Sequence, residues 1–198
     1  MNIALRLRWC AATAAGLALS GFGMHFPGGT PIGNGLDEWQ PSAMVFGAFL
    51  GALSGLITGA LQWAALRPAG PSFVRLSAVM MLGIGATHAL ADGAPTSVGL
   101  GAVAVAGAIA ITVGLAIAIG ERGWLAFAAS LGGWVGGLLI AYELTSALGL
   151  PASQDPGGWA THHAVIGVIV GVIWSALVAA TASLWLAPRA DRPVAAIS

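Results

Sequence analysis

PSAMVFGAFLGALSGLITGALQWAAL, residues 41–66, runs without a charge between the acidic pair Asp37 and Glu38 and the basic Arg67. A helix needs about 20 mostly apolar residues to cross the hydrocarbon core of a bilayer, so this stretch predicts a transmembrane helix. Within it Gly47, Gly51, Gly55 and Gly59 recur at every fourth position. That spacing places all four on one helical face. A row without side chains lets a second backbone come close, and van der Waals contact then replaces the hydrophobic drive that lipid removes.

Outward from this segment, five more stretches have the same character, at about residues 9–26, 73–91, 98–119, 124–148 and 159–186. The breaks between them are rich in Pro and Gly or carry charge: PGGTPIGNGLDEWQ, RPAGPS, ADGAPTS, GERG and GLPASQDPGG. Each break disfavours helix or is costly to leave in lipid. The whole chain is 58% hydrophobic and 7% charged, whereas a soluble domain is about 25% charged. It cannot cover a water-facing surface, and the lipid bilayer is its expected main partner. The reading is therefore an all-α integral membrane protein, with six transmembrane helices as three hairpins in a single domain over residues 1–188 and a short tail at 189–198.

The arginines set the orientation. Arg6 and Arg8 precede the first span, Arg67 and Arg75 flank the second connection, Arg122 the fourth, and Arg189 and Arg192 follow the last. With six spans and both termini in the cytoplasm, all seven arginines fall inside, the pattern that governs multi-pass proteins of a bacterial-type inner membrane. Trp9, Trp63, Trp124 and Trp185 then belong to the inner interface, Trp39 and Trp159 to the outer one. An alternative treats the first span as a signal peptide cleaved after ALSGFG, residues 18–23, which leaves five spans in the same topology. The formal net charge is zero, so no nucleic-acid partner is expected. A lone Cys10 excludes an internal disulfide and a cysteine metal knuckle.

A shift of 120 residues lays the second span on the sixth. Trp39 meets Trp159, Gly47 meets Gly167, Gly51 meets Gly171, Gly55 meets Ser175, Gly59 meets Ala179 and Pro68 meets Pro188. Two of the hairpins thus read as duplicates, each with a small-residue ridge. The expected use of the ridges is packing within the monomer; a homo-oligomer contact, a larger membrane complex, or a flat porphyrin or carotenoid surface lying against Gly are the alternatives. The phrase GxxxGxxxGxxxGxxQWxxLR, from Gly47 to Arg67, resembles segments of uncharacterised bacterial membrane proteins built of repeated helical hairpins. That resemblance implies a hairpin architecture and no assigned activity.

The remaining polar residues gather on the outer side: His25, Asp37, Glu38, His88, Asp92, Glu143, Asp155, His162 and His163. His88 and Asp92 are spaced i, i+4, where a carboxylate can orient an imidazole. Ionisable groups near the apolar region face a cavity or a partner more often than lipid. His88, Asp92, Glu143, His162, His163 and His25 are therefore the candidate site, of which His88, Asp92, Glu143 and either His162 or His163 are expected to converge on one pocket at the outer end of the bundle. Imidazole and carboxylate suit Zn or Cu, but no HExxH accompanies them; no metal or cofactor is required. Gln62 and Arg67 read as an interfacial anchor, Trp134 and Trp174 as core or lipid-facing aromatics. No GxSxG and no phosphate loop occur, so the expected function is a non-enzymatic binding or accessory membrane component. A small transporter or channel with an outward vestibule is one alternative; a haem- or pigment-binding protein is another.

Overall fold

The computed structural model describes residues 3–23, 38–67, 72–119, 124–150 and 156–185, apart from the side chains at 21–23, 96, 99–101, 104, 114–119, 124–126, 156–157, 159 and 181–185. Six α-helices account for nearly all of it: α1 (Ile3–Gly23), α2 (Pro41–Leu66), α3 (Phe73–Gly93), α4 (Gly99–Ile119), α5 (Trp124–Ala147) and α6 (Pro156–Trp185). A 3₁₀ turn, Thr96–Val98, leads into α4, and no strand occurs among the described residues.

Local chemistry explains the helix ends. Pro41 starts α2, where its missing N–H costs nothing. Ser72 caps α3 by accepting a hydrogen bond from the Arg75 N–H at 3.1 Å. Beyond α5 the chain turns at Gly149, whose φ of 65° is open to glycine at little cost. The Leu150 N–H then bonds back to the Thr145 carbonyl and the Gly149 N–H to the Ser146 carbonyl, which is a Schellman turn. Helix α1 begins earlier than the apolar stretch suggests, at Ile3, so Arg6 and Arg8 lie inside it.

Four helical segments are long and apolar enough to cross a membrane: Pro41–Leu66, Phe73–Gly93, Phe127–Ala147 and Ala160–Ala180. Their outer faces carry exposed Val45, Phe49, Ile57, Leu82, Ile140 and Val172. Water would penalise such a surface heavily, whereas lipid does not. The interior holds the opposite selection, with Thr13, Ser54, Thr58, Gln62, Ser77, Thr112 and Ser130 all buried.

The helices form a ring. Each packs on the next in sequence, and α6 returns to α1; among the described residues no other pair of helices comes backbone to backbone. Neighbours are antiparallel, as the matched registers show. Gly83 abuts Ile111, Gly16 abuts Thr58, and Gly133 and Gly137 abut Trp174 and Val170.

The α2 glycines all face α3. A Cβ on Gly47 would lie 2.6 Å from the His88 carbonyl oxygen, one on Gly51 2.6 Å from that of Ile84, and one on Gly59 2.6 Å from the Ser77 Cα. At Gly55 it would collide with the backbone of Met80 and Met81. On α6, Gly171 meets Ala14 and Gly167 meets Leu17 and Ala18 of α1 in the same way. Both ridges therefore join the second helix of one hairpin to the first helix of the next hairpin round the ring.

Trp174 is fully buried at the centre of the aromatic core. The Trp9 ring lies 6.0 Å away and tilted, and Trp134 meets it edge-on at 6.1 Å. Its indole N–H donates to the Ser130 hydroxyl at 2.9 Å. Two expectations need correction here. Trp9 is 4% exposed and Gln62 fully buried, so neither is an interfacial anchor. Ring closure turns both inward, where Gln62 Nε2 donates to the Thr13 hydroxyl at 3.0 Å. Arg67 is exposed, its guanidinium 5.4 Å from the Trp63 ring centre, as an interfacial cation–π pair would be.

Candidate functional site

The antiparallel ring brings the C-terminal ends of α3 and α5 to the same end as the N-terminal ends of α2 and α6. At that end the Gln40 N–H bonds to the Gly93 carbonyl at 2.9 Å, tying α2 to α3. Arg6, Arg8, Arg67 and Arg75 all belong to the opposite end.

His162 is the best-anchored member of the site. It is buried, 6% exposed, and its Nδ1 bonds to the Leu150 carbonyl oxygen. A carbonyl only accepts, so Nδ1 carries the proton. In the neutral ring Nε2 is then the basic nitrogen. The Schellman turn at Gly149 is what delivers that carbonyl, because Leu150 is the residue directly after it. On one side the Tyr142 ring lies 6.1 Å from that of His162, and on the other His163 lies 5.1 Å away, both edge-on.

His88 and Asp92 occupy the seam between α3 and α2. The His88 Cβ lies over Gly51 and the Asp92 carboxylate over Gly47, each within 3 Å of where a glycine Cβ would stand. The ridge at this end thus makes room for the two polar side chains as well as for the α3 backbone. His88 is within electrostatic reach of His163, although α3 and α6 are not neighbours in the ring. The two side chains thus belong to the same end of the ring.

Of the sequence-derived set, the structure brings His88, Asp92, His162 and His163 to one end. Glu143 is exposed and does not join them; the next residue back, Tyr142, is turned to His162 instead. His25 lies outside the described residues. No three His, Cys, Asp or Glu side chains among the described residues are placed to hold a metal ion. Sequence reasoning missed Tyr142 and the Leu150 carbonyl. Tyr142 had a signal in being the chain's single tyrosine; the carbonyl had only Gly149.

Such a group of imidazoles, one phenol and one carboxylate can accept, donate and relay protons, and can hold a polar ligand between α3 and α6. Comparison with protein-family models, with curated proteins and with solved structures gives no match to this chain.

Proposed function

We propose that the chain crosses a bacterial-type inner membrane six times with both termini in the cytoplasm, and acts as a non-enzymatic binding component whose site is the histidine end. The orientation rests on the seven arginines, which all fall on one side of such a topology. A topology reporter fused after Ser198 is expected to be active only in its cytoplasmic form; periplasm-dependent activity there overturns the orientation. We take α1 to be retained, because Gly167 and Gly171 of α6 and Thr58 of α2 are packed directly on it. N-terminal sequencing that began just after Gly23 would refute this.

The observation that supports binding is the clustering at one end of the ring of His163 and Tyr142 on either flank of a His162 oriented by the Leu150 carbonyl, with His88 of α3 within electrostatic reach of His163. Imidazoles brought to one end of the bundle by non-adjacent helices suit a polar ligand held at its mouth. The test is a double-mutant cycle of His88→Ala and His163→Ala on thermal stability in detergent. Groups that share a site couple by about 0.5–3 kcal/mol, whereas independent ones add within about 0.5 kcal/mol. Additive effects would end the reading. The same cycle with His88→Ala and Glu143→Ala is expected to be additive. An absorption spectrum of the purified protein separates the haem or pigment alternative, since a Soret or chlorophyll band would replace the present proposal.

A further inference from the structure

The bundle carries a second set of buried polar groups, distinct from the histidines. Trp9 Nε1, Ser54 Oγ, Gln62 Oε1, Ser77 Oγ, Thr112 Oγ1 and Trp134 Nε1 are buried and have no hydrogen-bond partner among the described residues. Their side chains are 4% exposed or less. They come from five of the six helices: α1, α2 twice, α3, α4 and α5.

Several are tied together by packing. Gln62 is already held through its Nε2 by Thr13, which in turn donates to the Trp9 carbonyl one turn away at 2.8 Å. Ser77 Oγ lies against Gly59, one turn before Gln62. Trp134 Nε1 and the Thr87 hydroxyl both border Gly107, where a glycine leaves space between α3, α4 and α5.

Unmet donors and acceptors are costly in a protein interior and more so within a bilayer, where no bulk water can reach them. The set includes indole N–H groups, which only donate, a carboxamide oxygen, which only accepts, and hydroxyls, which do both. None of the six is charged. An occupant that answers all of them must be small, neutral, and both donor and acceptor. We propose that the interior of the ring is a hydrated site, holding bound water between these groups. Its groups are polar and buried, the chemistry that buried water answers. The proposal does not depend on ligand binding at the histidine end.

The test uses the full chain labelled with 5-fluorotryptophan in detergent micelles. Fluorine resonances of Trp9, Trp134 and Trp174 are assigned by their loss in Trp9→Phe, Trp134→Phe and Trp174→Phe. Transfer from H2O to D2O is expected to shift the Trp9 and Trp134 resonances. Trp174 is equally buried but has its N–H on Ser130, and its resonance is expected to stay in place. No isotope shift at Trp9 and Trp134, or an equal shift at Trp174, would overturn the proposal. Where a phenylalanine variant fails to fold, that resonance is assigned as the one remaining after the other two and after single phenylalanine replacements of Trp39, Trp63, Trp124, Trp159 and Trp185.

Discussion

Gly55→Leu is expected to destabilise the protein by at least the upper part of the about 1–3 kcal/mol usual for overpacking, read as a fall in melting temperature in detergent. Even the first atom of the new side chain would collide with main-chain atoms of Met80 and Met81. Backbone cannot swing aside as a flexible side chain can, so α3 itself has to move. Gly51→Leu should behave similarly, since its Cβ would stand 2.6 Å from the Ile84 carbonyl oxygen. Gly136→Ala is the control. Nothing lies within 4 Å of its added Cβ, and alanine is the better helix former by about 1 kcal/mol. Wild-type stability in both leucine variants would mean that the α2 ridge faces lipid.

The second large effect belongs to Trp174. Its truncation to alanine empties the centre of the ring, removes the contacts with Trp9 and Trp134, and strips Ser130 of its donor. Burial of this kind makes Trp→Ala cost about 3–5 kcal/mol. Trp174→Phe keeps most of the volume and loses the hydrogen bond, so its loss should be clearly smaller. Trp39→Ala, at a side chain 51% exposed, should leave the melting temperature nearly unchanged. Equal effects at Trp174 and Trp39 would contradict the placement of Trp174 in the core.

The helices were legible because their lengths are imposed by an apolar run and its breaks. Pro41, Ser72 and Gly149 mark ends by local chemistry alone. The glycine ridge was legible from its four-residue spacing, but the identity of the facing helix was not. That depends on ring order, which no local pattern encodes. The 120-residue repeat gains a meaning only in the ring, where α2 against α3 and α6 against α1 are equivalent seams between successive hairpins.

The candidate site was legible in part for the same reason. His88 and Asp92 share a face by i, i+4 spacing, and the ridge glycines Gly51 and Gly47 lie beneath them. The choice between Glu143 and Tyr142 could not be made from sequence. Adjacent helical residues differ by roughly 100° in direction, so one position decides between interior and lipid. Charge favoured Glu143 as a candidate, yet rotation of α5 presents Tyr142 to His162. Trp9 and Gln62 were misread because proximity to a helix end suggests an interface, while their azimuth sends them inward.

His88 and His163 share the histidine end of the ring within electrostatic reach of each other, and Glu143 is exposed and stands apart. Cysteine cross-linking tests this placement most directly. In a Cys10→Ser background, the paired substitutions His88→Cys and His163→Cys should be joined by a short bismaleimide, with the cross-linked peptides of α3 and α6 identified by mass spectrometry. The pair His88→Cys and Glu143→Cys should not be joined under the same conditions. Cross-linking of the second pair and not the first would contradict the account.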